Sequence, residues 1–208
     1  MQNEWLTIIK EGDDVTLDSC FPKAVGEIVI PDGVTKIQDY AFDQCNKVTS
    51  LVIPSSVNDI DNSSFLGCIN LQSIIVDPNN TIYDSRNNCN AIIETATNTL
   101  VKGCQNTIIP NGIRTIGVFA FCECIGLSSI ILPESLEYIE ESSFAGTGLT
   151  KIHIPYNVKW IGEGAFNVCP NLRSVEVPDQ VAVEHPCNEN YYPAFDGVNC
   201  TFTRYKVL

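Results

Sequence analysis

Hydrophobic residues recur along this chain with a period of about 22 or 23 residues. Five prolines are each followed, eleven residues later, by a phenylalanine, with an apolar pair spaced three residues apart between them. These proline and phenylalanine pairs are Pro31 and Phe42, Pro54 and Phe65, Pro110 and Phe121, Pro133 and Phe144, and Pro155 and Phe166. Repetition at one spacing predicts a solenoid, in which each repeat stacks on the next.

Each repeat ends in an alternating apolar pair that leads into the next proline, as Leu51 and Ile53 lead into Pro54. Alternation bounded by proline is typical of a strand. We therefore expect a strand, a proline corner, a second extended piece and a tight turn or helical half-turn at the phenylalanine. Because one repeat alone buries too little to offset its ordering entropy, neighbouring repeats must cover one another, with the phenylalanines in one continuous line.

The period breaks between Pro78 and Pro110, which are 32 residues apart with no phenylalanine between them. Two strand-like runs, 91–94 and 99–102, flank a polar turn. They predict a β-hairpin, inserted within about 79–106, that protrudes from the solenoid or pads its flank.

The regions outside the repeats predict terminal caps. Residues 1–27 contain two strand-like runs joined by a polar turn, and residues 179–208 end in an alternating run. We expect one domain over 1–208, with an N-terminal cap at 1–27, repeats at 28–178 and a C-terminal cap at 179–208.

The repeats share Ile-Pro, Val-x-x-Ile, Ala-Phe-x-x-Cys and Leu steps, with small variations, over 31–53, 54–76, 110–132, 133–154 and 155–177. This pattern resembles the BspA-type leucine-rich-repeat family. The resemblance implies a β-rich solenoid, which we expect to be right-handed and α/β horseshoe-like with short helical or 3-10 turns. It also implies a non-catalytic protein-protein interaction module, with bacterial surface adhesion or host-protein binding as its role, and a secreted or cell-surface location.

Charge and hydropathy limit the partners. The chain has 25 acidic and 12 basic residues and a net charge of −13, which disfavours nucleic acid and anionic lipid surfaces. It contains no apolar stretch long enough to insert into a membrane. No export signal is visible at the start of the sequence, which leaves a cytoplasmic protein and a mature form without its leader as alternatives.

Cysteines recur at one position of the repeat, at Cys45, Cys68, Cys124 and Cys169. A straight column cannot bring four thiolates to one metal ion, so we expect buried, reduced thiols. We expect Cys122 to point to solvent and to be the more reactive thiol. Cys89 and Cys104 form either a disulfide or two reduced thiols.

Other chemical motifs are weak. His185, Cys187 and Cys200 do not have the spacing of a standard zinc module, so a disulfide or plain packing is favoured there. No nucleophile, base or metal constellation is recognisable, so we predict no catalysis, no metal and no cofactor.

The candidate site is therefore a surface. Residues that alternate with the buried strand positions form an outward row: Val29, Val52, Ile75, Ile131, His153 and Glu176. A flanking row beside it contains Glu27, Ser50, Ser73, Ser129, Lys151 and Ser174. An exposed apolar row of this kind suits a protein or peptide partner, although valine and isoleucine also simply favour strands.

Two aromatic residues offer a second surface. Tyr138 and Trp160 occupy equivalent positions in adjacent repeats, where they are expected to stack. With polar neighbours they would suit a carbohydrate, which makes a carbohydrate-binding module one alternative. A structural spacer in a larger assembly is the other.

Overall fold

The structure is a computed structural model that describes residues 2–181 and 193–206. This part of the chain winds as a β-solenoid of about 8 turns with nearly no helix. Its strands, numbered β1 to β16 in chain order, are Leu6–Glu11, Asp14–Cys20, Gly26–Val29, Lys36–Ile37, Val48–Ile53, Asp59–Ile60, Ser73–Val76, Tyr83–Asp84, Ala91–Glu94, Thr99–Gly103, Thr115–Ile116, Tyr138–Ile139, Lys151–His153, Trp160–Ile161, Ser174–Pro178 and Thr201–Tyr205. Short 3-10 helices lie at Gln2–Trp5, Arg86–Asn88 and Pro193–Phe195.

Most repeats contribute a strand after the proline, and several also have a longer one before it. The longer strands form two parallel sheets, β3-β5-β7 and β13-β15-β16. The two-residue strands after the prolines pair in two other sheets, β1-β2-β4-β6 and β14-β12-β11-β10-β9-β8, which also contain the strands of the two hairpins. Proline separates the two kinds of strand because it has no backbone N–H to donate to a ladder. Their apolar side chains, such as Ile53 and Ile60, meet in one core.

The repeat phenylalanines are buried and their rings are in contact, but in two columns rather than one. The expected continuous line is therefore wrong, since no ring contact joins Phe65 to Phe121 among the described residues. The ring centroids are 5.3 Å apart for Phe42 and Phe65, 4.9 Å for Phe121 and Phe144, 5.1 Å for Phe144 and Phe166, and 4.8 Å for Phe166 and Phe195.

Gly103 takes the phenylalanine position in the interrupted repeat. Its N–H donates to the Ala120 carbonyl at 2.9 Å, as the Phe42 N–H donates to the Ser64 carbonyl at 2.9 Å. A Cβ on Gly103 would lie 2.1 Å from Cε1 of Phe121. The Phe121 ring therefore fills the space that a side chain at Gly103 would need, and the second column starts from it.

The hairpin formed by β9 and β10 separates two hydrophobic cores, and we call this hairpin the wall. Ile92 faces a core that begins at Leu17, whereas Ile93 and Leu100 face a second core that extends to Phe195. We call these two cores, with their repeats, the N-terminal stack and the C-terminal stack. The hairpin was expected to protrude or to pad the flank, and that expectation is wrong because its apolar residues are buried between the two stacks.

Both chain ends add strands to the solenoid. β1 and β2 form an antiparallel hairpin, and β2 pairs with β4 in parallel at Thr16 with Lys36 and at Leu17 with Ile37. At the other end β16 pairs in parallel with β15. His185 and Cys187 lie outside the described residues.

Candidate binding surface

The outward row lies in two separate sheets. Val29, Val52 and Ile75 are direct neighbours across β3, β5 and β7. His153 and Glu176 are direct neighbours across β13 and β15. Ile131 lies between these sheets, on residues 128–133 that form no strand. The structure thus brings the six residues to one side of the solenoid in two groups, with Ile131 beside the second.

Exposure increases along the apolar part of the row. Val29 and Val52 are half-buried, whereas Ile75 is 50% exposed and Ile131 is 87% exposed. Exposure of a large apolar side chain to water is unfavourable in free energy, so its burial by a partner would favour binding. Ile131 is therefore the strongest apolar anchor of the row.

A groove of about 420 Å³ opens next to Ile131. Its rim combines Ile131, His153 and Glu176 of the outward row with residues of the flanking row. The remaining lining residues are Ser129, Ile130, Leu132, Lys151, Ile152 and Ser174. The groove is apolar in the middle and carries serine hydroxyls, an ammonium and a carboxylate around it.

The His153 side chain is held in place at this groove. Its Nδ1 is 3.0 Å from Oε2 of Glu176, and its ring stacks on the Tyr205 ring with centroids 5.0 Å apart. The Tyr205 hydroxyl donates to the Ile154 carbonyl at 2.7 Å, which fixes the tyrosine. The polar rim of the groove is therefore ordered before any ligand binds.

The same groove lies between β13 and residues 129–132 of the preceding repeat, next to the bond from the Thr150 N–H to the Ser128 carbonyl at 3.2 Å. The Ile154 N–H donates to the Glu176 carbonyl at 2.8 Å, so this residue and Ile152 face β15. In a parallel ladder alternate residues bond to opposite neighbours, so the backbone groups of Lys151 and His153 face residues 129–132. In the described chain these groups have no backbone partner there.

A second groove, of about 670 Å³, lies beside Ile75. On its far side Arg86 donates from Nε to Oδ1 of Asp84 at 2.8 Å and from a terminal nitrogen to Oδ1 of Asn98 at 2.8 Å. Burial tends to raise the pKa of Asp84, but the hydrogen bonds from Arg86 and Thr95 outweigh it and lower that pKa. The Asn/Asp-rich segment therefore builds ordered turns.

Sequence reasoning missed one member of the row. Ile108 is 75% exposed and stands two residues before Pro110, as Ile131 stands two residues before Pro133. Residues 79–106 were assigned to an insertion, so the position next to it was not compared with the other repeats. The spacing to the following proline was the signal that would have found it.

Tyr138 and Trp160 lie on the other sheet, paired in register across β12 and β14. Trp160 is 45% exposed, and Tyr138 is half-buried beneath the Lys159 ammonium, which is 5.7 Å from its ring centroid. The expected stacking is absent, since no ring contact joins the two among the residues that the structure describes. Hydrogen bonds from Lys159 and Arg114 lower the pKa of Glu137 beside them.

The thiols carry no visible chemistry at this surface. The four column cysteines are buried and free. Cys122 was expected to be exposed and reactive, but it is half-buried, and burial raises the pKa of its thiol to about 11. Cys89 and Cys104 are free thiols in different stacks, separated by the hairpin wall. Among the described residues no group of histidine, cysteine or carboxylate side chains is arranged to hold a metal ion.

Comparison with known protein families gives one match. The model of the BspA type leucine-rich-repeat region matches the chain with 6 copies, over residues 18–102 and 98–187. A search of curated proteins returned no match. No helix in the described part of the chain has the length and apolar character to cross a bilayer.

Several solved bacterial structures share the fold. A leucine-rich-repeat protein from Eubacterium ventriosum is 24% identical with a TM-score of 0.68, covering 77% of this chain and 44% of its own. A leucine-rich cell surface protein from Faecalibacterium prausnitzii is 21% identical with a TM-score of 0.53, covering 89% and 61%. The pneumococcal vaccine antigen PcpA is 20% identical with a TM-score of 0.50, covering 74% and 51%. The chain thus spans roughly half the length of these proteins.

Proposed function

The chain belongs to the BspA-type leucine-rich-repeat family, and from that premise we propose that it is a non-catalytic module that binds a protein or peptide. The family commonly contains protein-interaction and surface proteins. The binding surface is the side of the solenoid that carries the outward row, centred on the groove beside Ile131.

One observation carries this proposal. Ile131 is an almost fully exposed isoleucine at the rim of a groove whose polar groups are already ordered. An apolar anchor ringed by polar groups is the usual composition of a protein interface. Because the stacked strands are rigid, little entropy is lost when a partner docks.

The partner we propose is an extended peptide segment. Its apolar side chains would pack on Ile131 and its neighbours in the groove. Its main chain would lie along the groove and bond to the polar side chains at its rim, such as Lys151 and Glu176. The excess of acidic residues in the whole chain favours a segment with a neutral or positive charge.

We also propose the finer features of the fold that this role needs. The solenoid is right-handed, and the hairpin of β1 and β2 and the strand β16 act as caps that cover the first and last repeats. Capping repeats keep an open solenoid from associating through its ends. The hairpin of β9 and β10 is an insertion into an ordinary repeat, and residues 1–208 form one domain.

A bacterial cell surface is the location that we propose. Among the structurally similar proteins, one is described as a cell surface protein and another as a vaccine antigen. A role in adhesion, through host proteins or neighbouring cells, follows from that location.

The test is selection of a displayed library of linear peptides on the immobilised protein, followed by binding of enriched peptides measured by fluorescence anisotropy. We expect enriched peptides with apolar residues at alternate positions. Ile131→Asp should weaken their binding at least about tenfold, because it places a charge against the apolar contact. The matched control is Ile125→Asp, an exposed isoleucine outside both grooves, which should bind as the wild type does.

Two results would count against the proposal. One is the absence of any enriched peptide, or enrichment of peptides whose binding does not change when Ile131 is replaced. The other is capture of a glycan that is lost in Trp160→Ala and kept in Ile131→Asp, since this would move the function to the sheet of Tyr138 and Trp160.

A further inference from the structure

Two cysteines meet where the N-terminal hairpin joins the first repeat. Cys20 is the last residue of β2, and its N–H donates to the Ala41 carbonyl at 2.6 Å. Cys45 lies after the turn that follows Phe42, and its N–H donates to the Phe42 carbonyl at 3.0 Å. Both are buried, free thiols.

Their sulfur atoms converge on one point. The Sγ of Cys45 is 3.5 Å from the carbonyl oxygen of Cys20 and 3.5 Å from that of Phe21. The Sγ of Cys20 is 3.9 Å from the same Phe21 oxygen. Both sulfur atoms therefore contact the same backbone oxygen, and closeness of the two side chains is the first requirement for a disulfide between them.

The two thiols also differ in acidity. Interaction with the Cys45 side chain, together with burial, raises the pKa of Cys20. A hydrogen bond from Cys20 lowers the pKa of Cys45, against the effect of burial. Thiolate is the reacting form of either thiol, and we assign the first attack to Cys45.

The hairpin that covers this pair is held through β2. This strand pairs with β4, donates from the Cys20 N–H to the Ala41 carbonyl and buries Leu17 in the core, whereas β1 is largely exposed. Terminal elements can open locally without global unfolding. Such opening exposes Cys45 to small molecules in solution.

We propose that Cys20 and Cys45 are a site of oxidative modification that joins the N-terminal hairpin covalently to the first repeat. The oxidant is a low-molecular-weight disulfide such as glutathione disulfide. The Cys45 thiolate attacks one sulfur of this disulfide, forming a mixed disulfide and releasing one glutathione thiolate. Cys20 then loses its proton to solvent and attacks the Cys45 sulfur, which releases the second glutathione thiolate. The protein loses two protons and two electrons, and one glutathione disulfide becomes two thiols.

Three other thiols in the described part of the chain lack this arrangement. Cys89 and Cys104 lie in separate stacks. The Sγ of Cys169 faces the Thr147 hydroxyl at 3.2 Å, where the column has no cysteine. The proposed modification lies at the N-terminal end of the solenoid and is independent of the proposed binding surface.

The test is incubation of the whole chain with glutathione disulfide, alkylation of the remaining thiols, and mass spectrometry of a non-reducing digest. We expect a peptide pair linked through Cys20 and Cys45. The melting temperature should rise on the order of 5–10 °C in oxidising buffer, because the link closes a loop in the unfolded chain. Cys20→Ser should abolish the rise, and the matched control Cys124→Ser, a buried thiol in the other stack, should retain it.

Three outcomes would overturn the proposal. The first is no Cys20 to Cys45 link even in mild urea that opens the hairpin. The second is a link between Cys45 and Cys68 in its place. The third is a glutathione adduct that persists on Cys45 without transfer to Cys20. The digest of the wild-type protein distinguishes them, so the result does not depend on the stability of any variant.

Discussion

The two stacks solve the same packing problem with different regularity. In the N-terminal stack the rings of Phe42 and Phe65 are tilted by 30°, and within the described ranges no third phenylalanine ring joins their column. In the C-terminal stack the rings from Phe121 to Phe195 lie within 4° of parallel from one to the next. The difference shows that the repeat pattern alone does not make a regular column. The parallel rings lie in the stack that has three consecutive uninterrupted repeats, and the tilted pair lies in the stack that has two.

The interruption is also visible in the sheets. On the side of the outward row, residues 128–133 form no strand, and the sheet is divided into β3-β5-β7 and β13-β15-β16. On the other side the strands also form two sheets, β1-β2-β4-β6 and β14-β12-β11-β10-β9-β8, and the hairpin belongs to the second, where β10 pairs with both β9 and β11. The wall therefore separates the sheets on both sides, and the groove beside Ile131 lies on the side where residues 128–133 form no strand.

The largest effect should come from removing a ring. We expect Phe144→Ala to destabilise the protein by about 3–5 kcal/mol, because Phe144 is buried between two stacked rings. Phe65→Ala removes contact with one ring, so its cost should be lower by about 1 kcal/mol. Chemical denaturation measures both losses, and hydrogen exchange should locate each in its own stack. Equal losses would remove ring stacking as the cause of the difference.

A smaller effect should follow from filling the gap between the columns. Gly103→Ala places a Cβ against the Phe121 ring, which cannot move freely because it stacks on Phe144. We expect a loss of about 1–3 kcal/mol in the free energy of unfolding, measured by denaturation. The control is Gly126→Ala, whose Cβ meets only the side chain of Gln105 at the surface. If both variants are equally stable, Phe121 does not depend on Gly103.

The smallest effect should come from the hydrogen bonds that tie the wall to the preceding turn. Asp84→Asn removes the charge that Arg86 and Thr95 bind, and we expect a loss of about 1 kcal/mol at neutral pH. The folded-state pKa of Asp84 is below its usual value, so this stabilisation is present above about pH 4 and is lost as the pH falls further. Urea denaturation at several pH values should show the gap between variant and wild type closing in acid. The control is Asp32→Asn at an exposed turn, and a gap that stays constant with pH would contradict the assignment.

The periodic features could be predicted from the sequence because they are local. The spacing from Pro54 to Phe65 fixes which side chains of a repeat are buried, and alternation before the proline identifies the strand. The burial of the repeat phenylalanines followed from that pattern, and the resemblance of the repeat motifs to the BspA-type family is confirmed by the family match. A strand pair at 91–94 and 99–103 was visible for the same reason.

The path of the hairpin could not be predicted, because both of its faces are apolar. Ile92 and Ile93 are neighbours in sequence and both are buried, each in a different core. Alternation normally reports one buried and one exposed face, so a strand buried on both faces gives no periodic signal. The break in the column of phenylalanine rings could not be predicted either. It depends on Gly103, and a single glycine in the sequence does not indicate which neighbouring ring fills the space beside it.

For the candidate surface, the sequence predicted which residues face outward but not the groove that they line. Strand alternation placed His153 and Glu176 side by side, as the register has them. The groove itself arises because residues 128–133 leave the ladder, and no residue type in that segment signals this departure.

The wall between the stacks has a consequence for how such a chain can change length in evolution. A duplicated or deleted winding on either side would alter one column and leave the other, with its own terminal strand, as it was. Related proteins could therefore differ in the length of the solenoid by whole repeats, provided that the hairpin and Gly103 are kept. Insertion of a winding directly at the wall is the one change that this architecture resists.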